Sequence, residues 1–365
     1  MIWKKRTYLD FAAGKEGNPS SAHAEGRKMK ARLEDARVEI ARLVECKADD
    51  VVFTSGATEA NALAILGILN PGDHALYLPS AHASIVENMK IAEARGAIIE
   101  PLIIKNGEVD LDALKKQVKP ETALVSMEAV CGETGTIWNT HEIANTLKMH
   151  QFLRFHIDAS QAPFTEKITR SHFGADLLVL DGGKLGAPGA GALIAHRTIP
   201  LAPLYGGGGQ ERGLRSGTEN VEAIGKFARE LARATGKREE FKTRAAERRV
   251  ELLQAISTIP DLEVNIGREG VPQIVNISLP GRDTDYLVAL LDEGGFAVST
   301  RSACETDSEE GSRAVYALTG DPERASATLR ISYDSSVSSR DLARFAHALA
   351  GAVAFVDSAR GRAHH

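Results

Sequence analysis

Lys184 stands at a position where a free ammonium group is costly. The apolar run Leu177–Leu180 ends at Asp181-Gly182-Gly183, and a turn rich in glycine, alanine and proline follows the lysine. A buried lysine is unfavourable unless it is paired or chemically modified. Two interpretations are open on this stretch alone. The lysine either reaches water from a glycine turn or forms a Schiff base at the end of a strand.

Other strand ends carry polar groups that suit a phosphorylated heterocyclic ligand. Gly56, Ala57 and Thr58 follow an apolar strand and begin a helix, where free N–H groups and a hydroxyl can bind phosphate. Asp158 ends another apolar strand, where a carboxylate can pair with a protonated ring nitrogen, and Gln161 can donate to a phenolic oxygen. Taken alone, each motif is also explained by an ordinary capped turn.

Three further residues can complete such a site. His82 opens a helix after a strand end, where an imidazole either caps the helix or stacks on a planar ring and transfers protons. Arg330 lies within the strand-like run ATLRISYD and needs an anionic partner, such as a substrate carboxylate. Cys304 occupies a polar segment without apolar cover, which favours a nucleophilic thiol. Together these residue types are those of a pyridoxal-phosphate site.

Alternating strands and helices must position these groups. The β-rich runs are DVVFTSG, HALYLPS, AIIEPLII, TALVSMEAV, FLRFHIDAS and DLLVLDGG, and segments with helical apolar spacing separate most of them. This pattern predicts an α/β fold with a mainly parallel sheet, in which ligands bind outside the carboxyl ends of the strands. A long helical stretch over about 219–256 is predicted to connect it to a smaller α+β unit.

The length of the chain predicts either two domains or one large α/β domain with an appendage. Its 365 residues are too many for one ordinary core. The change of pattern after the long helical stretch predicts a large cofactor-binding domain over residues 15–245. Residues 1–14 and 246–365 are predicted to form a small α+β domain that carries the Cys304 segment.

Composition and charge exclude several classes of protein. A formal net charge of −5 gives no electrostatic case for nucleic-acid binding. Three cysteines without CxxC spacing predict neither a disulfide framework nor a metal site, and they suit a reducing cytoplasm. The start of the chain has no apolar signal region, and no uninterrupted apolar run approaches the length of a membrane span, so neither secretion nor membrane insertion is predicted.

The order of the motifs resembles that of the cysteine desulfurases, a group within the class V aminotransferase family. The matching segments cover nearly the whole chain and are YLDFAA, NPSSAH, FTSGATEAN, ETGTI, HIDASQ, GKLGAPGAGAL, GGGQERGLRSGTEN, SACE and LRIS. The pairing of GGGQERGLRSGTEN with a distant SAC is the most specific of these, because a general aminotransferase has no reason to keep that cysteine. The resemblance implies a fold type I pyridoxal-phosphate transferase that forms a homodimer.

The same resemblance assigns roles to the residues around the cofactor ring. It implies that Lys184 binds pyridoxal 5′-phosphate covalently and that Asp158 pairs with the ring nitrogen. Gln161 would contact the phenolic oxygen, and His82 would stack on the ring and shuttle protons.

At the phosphate, the resemblance implies binding by the turn Gly56-Ala57-Thr58 and by Thr218 of the other subunit. Two departures from the family pattern concern the cofactor, the first at its phosphate and the second near its phenolic oxygen. Asp181 and Gly183 occupy positions where the family has a serine and a histidine that touch phosphate, and Cys131-Gly132 replaces two asparagines. A carboxylate near a phosphate dianion is expected to repel it.

The implied reaction converts L-cysteine to L-alanine, with Arg330 binding the substrate carboxylate and Cys304 taking the sulfur as a persulfide. The SAC segment resembles that of the group with a longer cysteine loop, which passes sulfur to scaffold or carrier proteins for iron–sulfur clusters, thio-cofactors or tRNA thiolation. Selenocysteine lyase, another pyridoxal-phosphate β-lyase, and an inactive paralogue that keeps the fold are the alternatives.

Overall fold

The computed structural model describes residues 7–300 and 311–363, so Cys304 lies outside the described residues. The helices are α1 Ala24–Leu43, α2 Ala57–Leu66, α3 Ala83–Ala94, α4 Leu111–Gln117, α5 Thr140–Leu147, α6 Arg170–Phe173, α7 Val221–Gly236, α8 Arg238–Ile256, α9 Thr284–Glu293, α10 Arg313–Thr319, α11 Pro322–Ser326 and α12 Ser339–Ala363. The strands are β1 Val51–Thr54, β2 His74–Tyr77, β3 Ile98–Pro101, β4 Ile104–Lys105, β5 Glu108–Val109, β6 Thr122–Glu128, β7 Thr136–Ile137, β8 Arg154–Asp158, β9 Leu177–Asp181, β10 Gly191–Ala195, β11 Glu263–Val264, β12 Glu269–Gly270, β13 Ile274–Ser278 and β14 Thr328–Ser332.

A seven-stranded sheet forms the centre of the large unit, with the strand order β1-β10-β9-β8-β6-β2-β3. Strands β9, β8, β6, β2 and β3 pair in parallel, whereas β10 runs antiparallel to both β1 and β9. Its central strands are buried almost throughout, as expected for a sheet covered on both faces. The predicted α/β fold with a mainly parallel sheet is confirmed, and the carboxyl ends of β1, β2, β6, β8 and β9 meet at one edge.

A smaller antiparallel sheet, in the order β11-β13-β14, belongs to a second hydrophobic core. Helices α8, α9 and α12 supply the rest of this core, with buried residues such as Leu252, Leu287 and Leu349. The first core surrounds the seven-stranded sheet. Two cores agree with a large α/β unit and a small α+β unit, while the boundaries near residues 15 and 245 stay a prediction.

The predicted helical stretch over 219–256 consists of two helices that break at Lys237, where φ is −107° and ψ is 8°. The physical reason is that the two helices pack into different hydrophobic cores. Helix α7 buries Phe227 and Leu231 in the core of the large sheet, whereas α8 buries Leu252 in the second core. One straight helix would have to present a single apolar face to both cores, so the turn redirects that face.

By length and mean hydropathy, Ser339–Ala359 of α12 passes the test for a membrane-spanning helix. In the structure, the apolar face of this helix packs inside the protein. Its side chains Leu342, Phe345, Leu349 and Val353 are buried in the second core, where α12 packs against α8 and α9. The stretch therefore acts as a core helix of the small unit.

A buried ion pair anchors the glycine-rich segment 206–217. Nη1 and Nη2 of Arg37 donate to the two carboxylate oxygens of Glu211 over 2.8 and 2.6 Å. Glu211 also accepts the backbone N–H of Phe53 over 2.8 Å, and its side chain is only 1% exposed. The pair thereby ties α1 and β1 to a segment that contains two non-glycine residues with positive φ, Glu211 and Arg212.

We expect Glu211→Ala to lower the free energy of unfolding by about 3–5 kcal/mol, because it leaves the Arg37 guanidinium buried without its partner. Glu34→Ala is the matched control. It removes a half-exposed carboxylate from the same arginine and is expected to cost less than about 1 kcal/mol. Urea unfolding of both variants measures the difference, and equal losses would contradict the role given to Glu211.

Candidate active site

A cleft of about 480 Å³ opens at the edge where the carboxyl ends of the parallel strands meet. It brings together the predicted site residues from separate parts of the chain. They are Gly56, Ala57, Thr58, His82, Asp158, Gln161, Lys184 and Arg330. Residues more than 250 positions apart in the sequence therefore share one cavity, as the parallel-sheet prediction requires.

Asp158 lies at the last position of β8 with its carboxylate held in place. Oδ2 accepts Asn61 Nδ2 over 2.6 Å, and Oδ1 accepts both the backbone N–H and the hydroxyl of Ser160, over 2.9 and 2.5 Å. A carboxylate has about four acceptor positions, so these three bonds leave one for a ligand donor. Asn61 and Ser160 are positioning residues that the sequence motifs did not reveal.

His82 is the N-cap of α3 and lines the cleft. Its Nδ1 lies 3.2 Å from the backbone N–H of Ser84 and 2.8 Å from the hydroxyl of the same serine. Because Nδ1 accepts the backbone N–H, a neutral ring carries its proton on Nε2. The capping interpretation of His82 is thus correct, and it fixes the ring of a residue that also faces the cleft.

Lys184 lies in a short 3₁₀ turn, Gly183–Leu185, directly after β9. The turn closes through Gly186 at φ 77°, a left-handed conformation that favours glycine. The lysine side chain is exposed to the open cleft, so the ammonium group is not buried in the way the sequence suggested. Within residues 7–300 and 311–363, the Lys184 ammonium group forms neither a hydrogen bond nor an ion pair.

Asp181 links the Lys184 turn to the start of α2. Its Oδ1 accepts the backbone N–H of Ala57 over 3.1 Å, and its Oδ2 accepts the backbone N–H of Lys184 over 3.2 Å. Ala57 is the first residue of α2, where N–H groups lack partners within the helix and attract anions. The carboxylate therefore occupies part of the predicted phosphate-binding turn.

Arg330 reaches the cleft from the small sheet. It lies in β14, and its Nη1 donates to the carbonyl oxygen of Gly132 over 3.1 Å. Among the described residues, the Arg330 side chain pairs with this neutral carbonyl, and the predicted binding of a substrate carboxylate stays a prediction. Gly132 also leaves room for Gln161, since a Cβ at that position would lie 3.2 Å from Gln161 Nε2.

Thr218 does not line the cleft of its own chain. Its hydroxyl accepts Asn18 Nδ2 over 3.3 Å at an exposed position. Its predicted contact with the phosphate of a partner subunit stays a prediction. The neighbouring Arg215 pairs with Glu59 of α2 over 3.0 Å.

Glu128 is a cleft residue that the motifs missed. It ends β6 directly beside Asp158 of β8, and its Oε2 accepts the backbone N–H of His82 over 3.3 Å. Complete burial, together with the negative charge of Asp158, raises the pKa of Glu128 well above the usual range of a carboxyl. The sequence feature that could have revealed Glu128 is the one that identified Asp158, namely an acidic residue at the end of an apolar strand.

Cys131 is a packed residue, since its side chain is buried and only 2% exposed. Burial and the nearby Glu128 raise the pKa of the Cys131 thiol well above its usual value. A thiol of this kind stays protonated and is a poor nucleophile.

The raised pKa of Glu128 predicts a specific dependence of stability on pH. Unfolded Glu128 ionises near pH 4.5 while the folded residue stays protonated, so its contribution to stability is complete below that pH and is lost as the pH rises. We expect the free energy of unfolding of the wild type, relative to Glu128→Gln, to fall by up to about 1.4 kcal/mol per pH unit above that point. Urea unfolding from about pH 5 to about pH 8 measures this difference, and parallel pH profiles would refute the raised pKa.

Comparison with known proteins assigns the chain to a family. The family model described as aminotransferase class-V matches residues 6–345. The chain belongs to this family. A cysteine desulfurase, IscS 1 of Archaeoglobus fulgidus, is 32% identical over 92% of this chain and 90% of its own length. The predicted resemblance to the cysteine desulfurases is thereby confirmed, and the chain is an enzyme of a pyridoxal-phosphate-dependent family.

Solved structures of the family agree with the fold. A NifS-like protein superposes with a TM-score of 0.85 at 26% identity and covers 94% of this chain and 93% of its own. A structure of SspA in complex with cysteine superposes with a TM-score of 0.75 at 28% identity, covering 87% of this chain and 90% of that one.

Proposed function

We propose that this enzyme converts L-cysteine to L-alanine and retains the sulfur on Cys304. The observation that carries the proposal is the convergence of Lys184, Asp158, Gln161 and His82 in one cleft from separate strand ends. Relatives named cysteine desulfurases and a solved relative that holds cysteine support L-cysteine as the substrate.

The residues of the cleft fit pyridoxal 5′-phosphate at its ring end. Asp158 has an acceptor position left for a ring nitrogen, and Lys184 offers an amine without a competing partner in the described chain. Gln161 has space beside Gly132 to contact a phenolic oxygen. At the phosphate end, the first N–H of α2 is shared with Asp181. When bound, the cofactor supplies an electron sink conjugated with the substrate Cα.

The chain supplies the remaining chemistry. The guanidinium of Arg330 binds the substrate carboxylate, because it faces the cleft and a backbone carbonyl uses only part of its donor set. The Lys184 amine, once free, removes the proton from the substrate Cα. His82 holds a proton on Nε2 and can pass it to the substrate, since Nδ1 is engaged at the start of α3.

Sulfur transfer requires a second thiol. The Cys304 thiolate attacks the substrate sulfur, a new S–S bond forms, and the Cβ–S bond breaks with its electron pair left on the carbon. The carbon is reduced to the methyl group of alanine when it takes up a proton, and the two sulfurs are oxidised to the persulfide level. L-Cysteine and one enzyme thiol thus give L-alanine and one enzyme persulfide, with no external oxidant.

The partners follow from this chemistry. A homodimer would place Thr218 of one subunit at the phosphate of the other, consistent with its exposed position away from its own cleft. The persulfide would pass to a scaffold or carrier protein for iron–sulfur clusters, thio-cofactors or tRNA thiolation. Such chemistry needs a reducing compartment, and we propose the cytoplasm.

The product decides between the candidate functions. Purified enzyme supplied with pyridoxal phosphate and L-cysteine is expected to release alanine. A β-eliminating lyase would instead release pyruvate, ammonia and sulfide. A selenocysteine lyase would yield alanine from selenocysteine only, and an inactive paralogue would give no product from either amino acid.

A further inference from the structure

The phosphate end of the cleft contains an anion that belongs to the chain itself. Both oxygens of Asp181 accept backbone N–H groups, from Ala57 at 3.1 Å and from Lys184 at 3.2 Å. Helix α2 has no side-chain cap at Gly56, so Asp181 is the group that satisfies its first N–H. A carboxylate in this position gains from the partial positive charge of the helix start.

The Asp181 carboxylate lies close against the backbone that carries its two donors. A Cβ at Gly56 would lie 3.3 Å from Asp181 Oδ1, and a Cβ at Gly183 would lie 3.0 Å from Oδ2. The carboxylate thus packs against both glycines that flank its donors. A phosphate group that uses the same N–H of Ala57 must displace this carboxylate or lie against its negative charge.

We infer that Asp181 is an intramolecular competitor for the cofactor phosphate. A tethered carboxylate acts at a high effective concentration, so it weakens the binding of any anion that needs the same donors. Because Oδ2 also holds the backbone N–H of Lys184, displacement of the carboxylate releases the turn that carries the lysine. The inference rests on the proposed function, since it concerns the site proposed for pyridoxal phosphate.

Two ligands that differ only in the phosphate separate this effect from others. Pyridoxal 5′-phosphate and pyridoxal are titrated into cofactor-free protein, and their dissociation constants are measured from visible absorbance. We expect Asp181→Asn to tighten the binding of pyridoxal phosphate at least about tenfold and to change pyridoxal binding less than about threefold. The control is Asp110→Asn, which removes a carboxylate from the start of α4, outside the cleft, and should change neither constant.

Inorganic phosphate provides a test that needs no cofactor. In cofactor-free Asp181→Ser, the first N–H of α2 loses its anion, so the melting temperature should fall and added inorganic phosphate should restore it. Sodium chloride at the same ionic strength is the control for screening. Wild-type protein, whose donors are occupied by Asp181, should respond to phosphate no more than to the chloride control.

The outcomes distinguish this inference from the proposed function. If Asp181→Asn tightens the binding of both ligands equally, or of neither, Asp181 does not compete for phosphate. The proposed formation of alanine from L-cysteine would be unaffected by that result. If neither ligand binds to the wild type or to either Asp181 variant, both the inference and the proposed cofactor site fail. Binding that appears only when Asp181 is replaced would support the competition directly.

Discussion

Lys184→Ala is expected to remove the visible absorbance of the cofactor-loaded enzyme and to lower the rate of alanine formation by at least about a thousandfold. The reason is that, in the proposed mechanism, this one amine both anchors the cofactor and moves the Cα proton. Lys184 is the amine whose turn follows β9 into the cleft, and within the described chain it has no ion pair that would occupy it. Absorbance after gel filtration and a quantitative assay of alanine measure the two effects.

Lys148→Ala is the control for this experiment, because Lys148 is exposed at the end of α5 and lies outside the cleft. It should keep both the absorbance and the rate. A Lys184→Ala protein that still carries a covalent adduct after borohydride reduction would show that another amine holds the cofactor.

Cys304→Ser is expected to keep the visible absorbance and its response to L-cysteine but to lose alanine and persulfide formation. The thiol acts only after the substrate has bound, so the earlier steps should survive its removal. Spectral titration with L-cysteine and assays of both products measure this separation. If the variant releases alanine at the wild-type rate, the persulfide mechanism is wrong.

The other two cysteines explain why no substitute is expected for Cys304. Burial raises the pKa of Cys46 to about 11, and Cys131 is buried with a pKa raised well above its usual value. Both thiols therefore stay protonated at neutral pH and are poor nucleophiles. Cys46→Ser, which lies outside the cleft, is the matched control and should keep the wild-type rate of alanine formation.

Much of the cleft could be predicted because buried parallel strands can be recognised in the sequence as apolar runs, and the polar residues at their ends then mark the cleft. Asp158 ends a buried strand and Lys184 lies just after another, and the strand order then brings the two ends to one edge. Glu128 ends such a run as well, directly beside Asp158 in the sheet, and could have been found by the same rule.

Other features depend on geometry that periodicity does not encode. The contact between Asp181 and Ala57 joins residues 124 positions apart and requires a particular side-chain direction at the end of β9. Sequence reasoning predicted repulsion between Asp181 and a phosphate but not a carboxylate bound to the helix start. The break at Lys237 directly follows Gly236, a residue type that disfavours helix interiors, but the division of the two helices between two cores is not encoded in the periodicity.

The most direct test of the central claim follows one sulfur atom through a single turnover. Purified enzyme loaded with pyridoxal phosphate is mixed with one equivalent of L-cysteine that carries a sulfur isotope label, and its thiols are then alkylated and located by peptide mass spectrometry. The account predicts one labelled sulfur on Cys304 and an equal amount of alanine. Labelled free sulfide with pyruvate and an unmodified Cys304, or label on Cys46 or Cys131 alone, would contradict it.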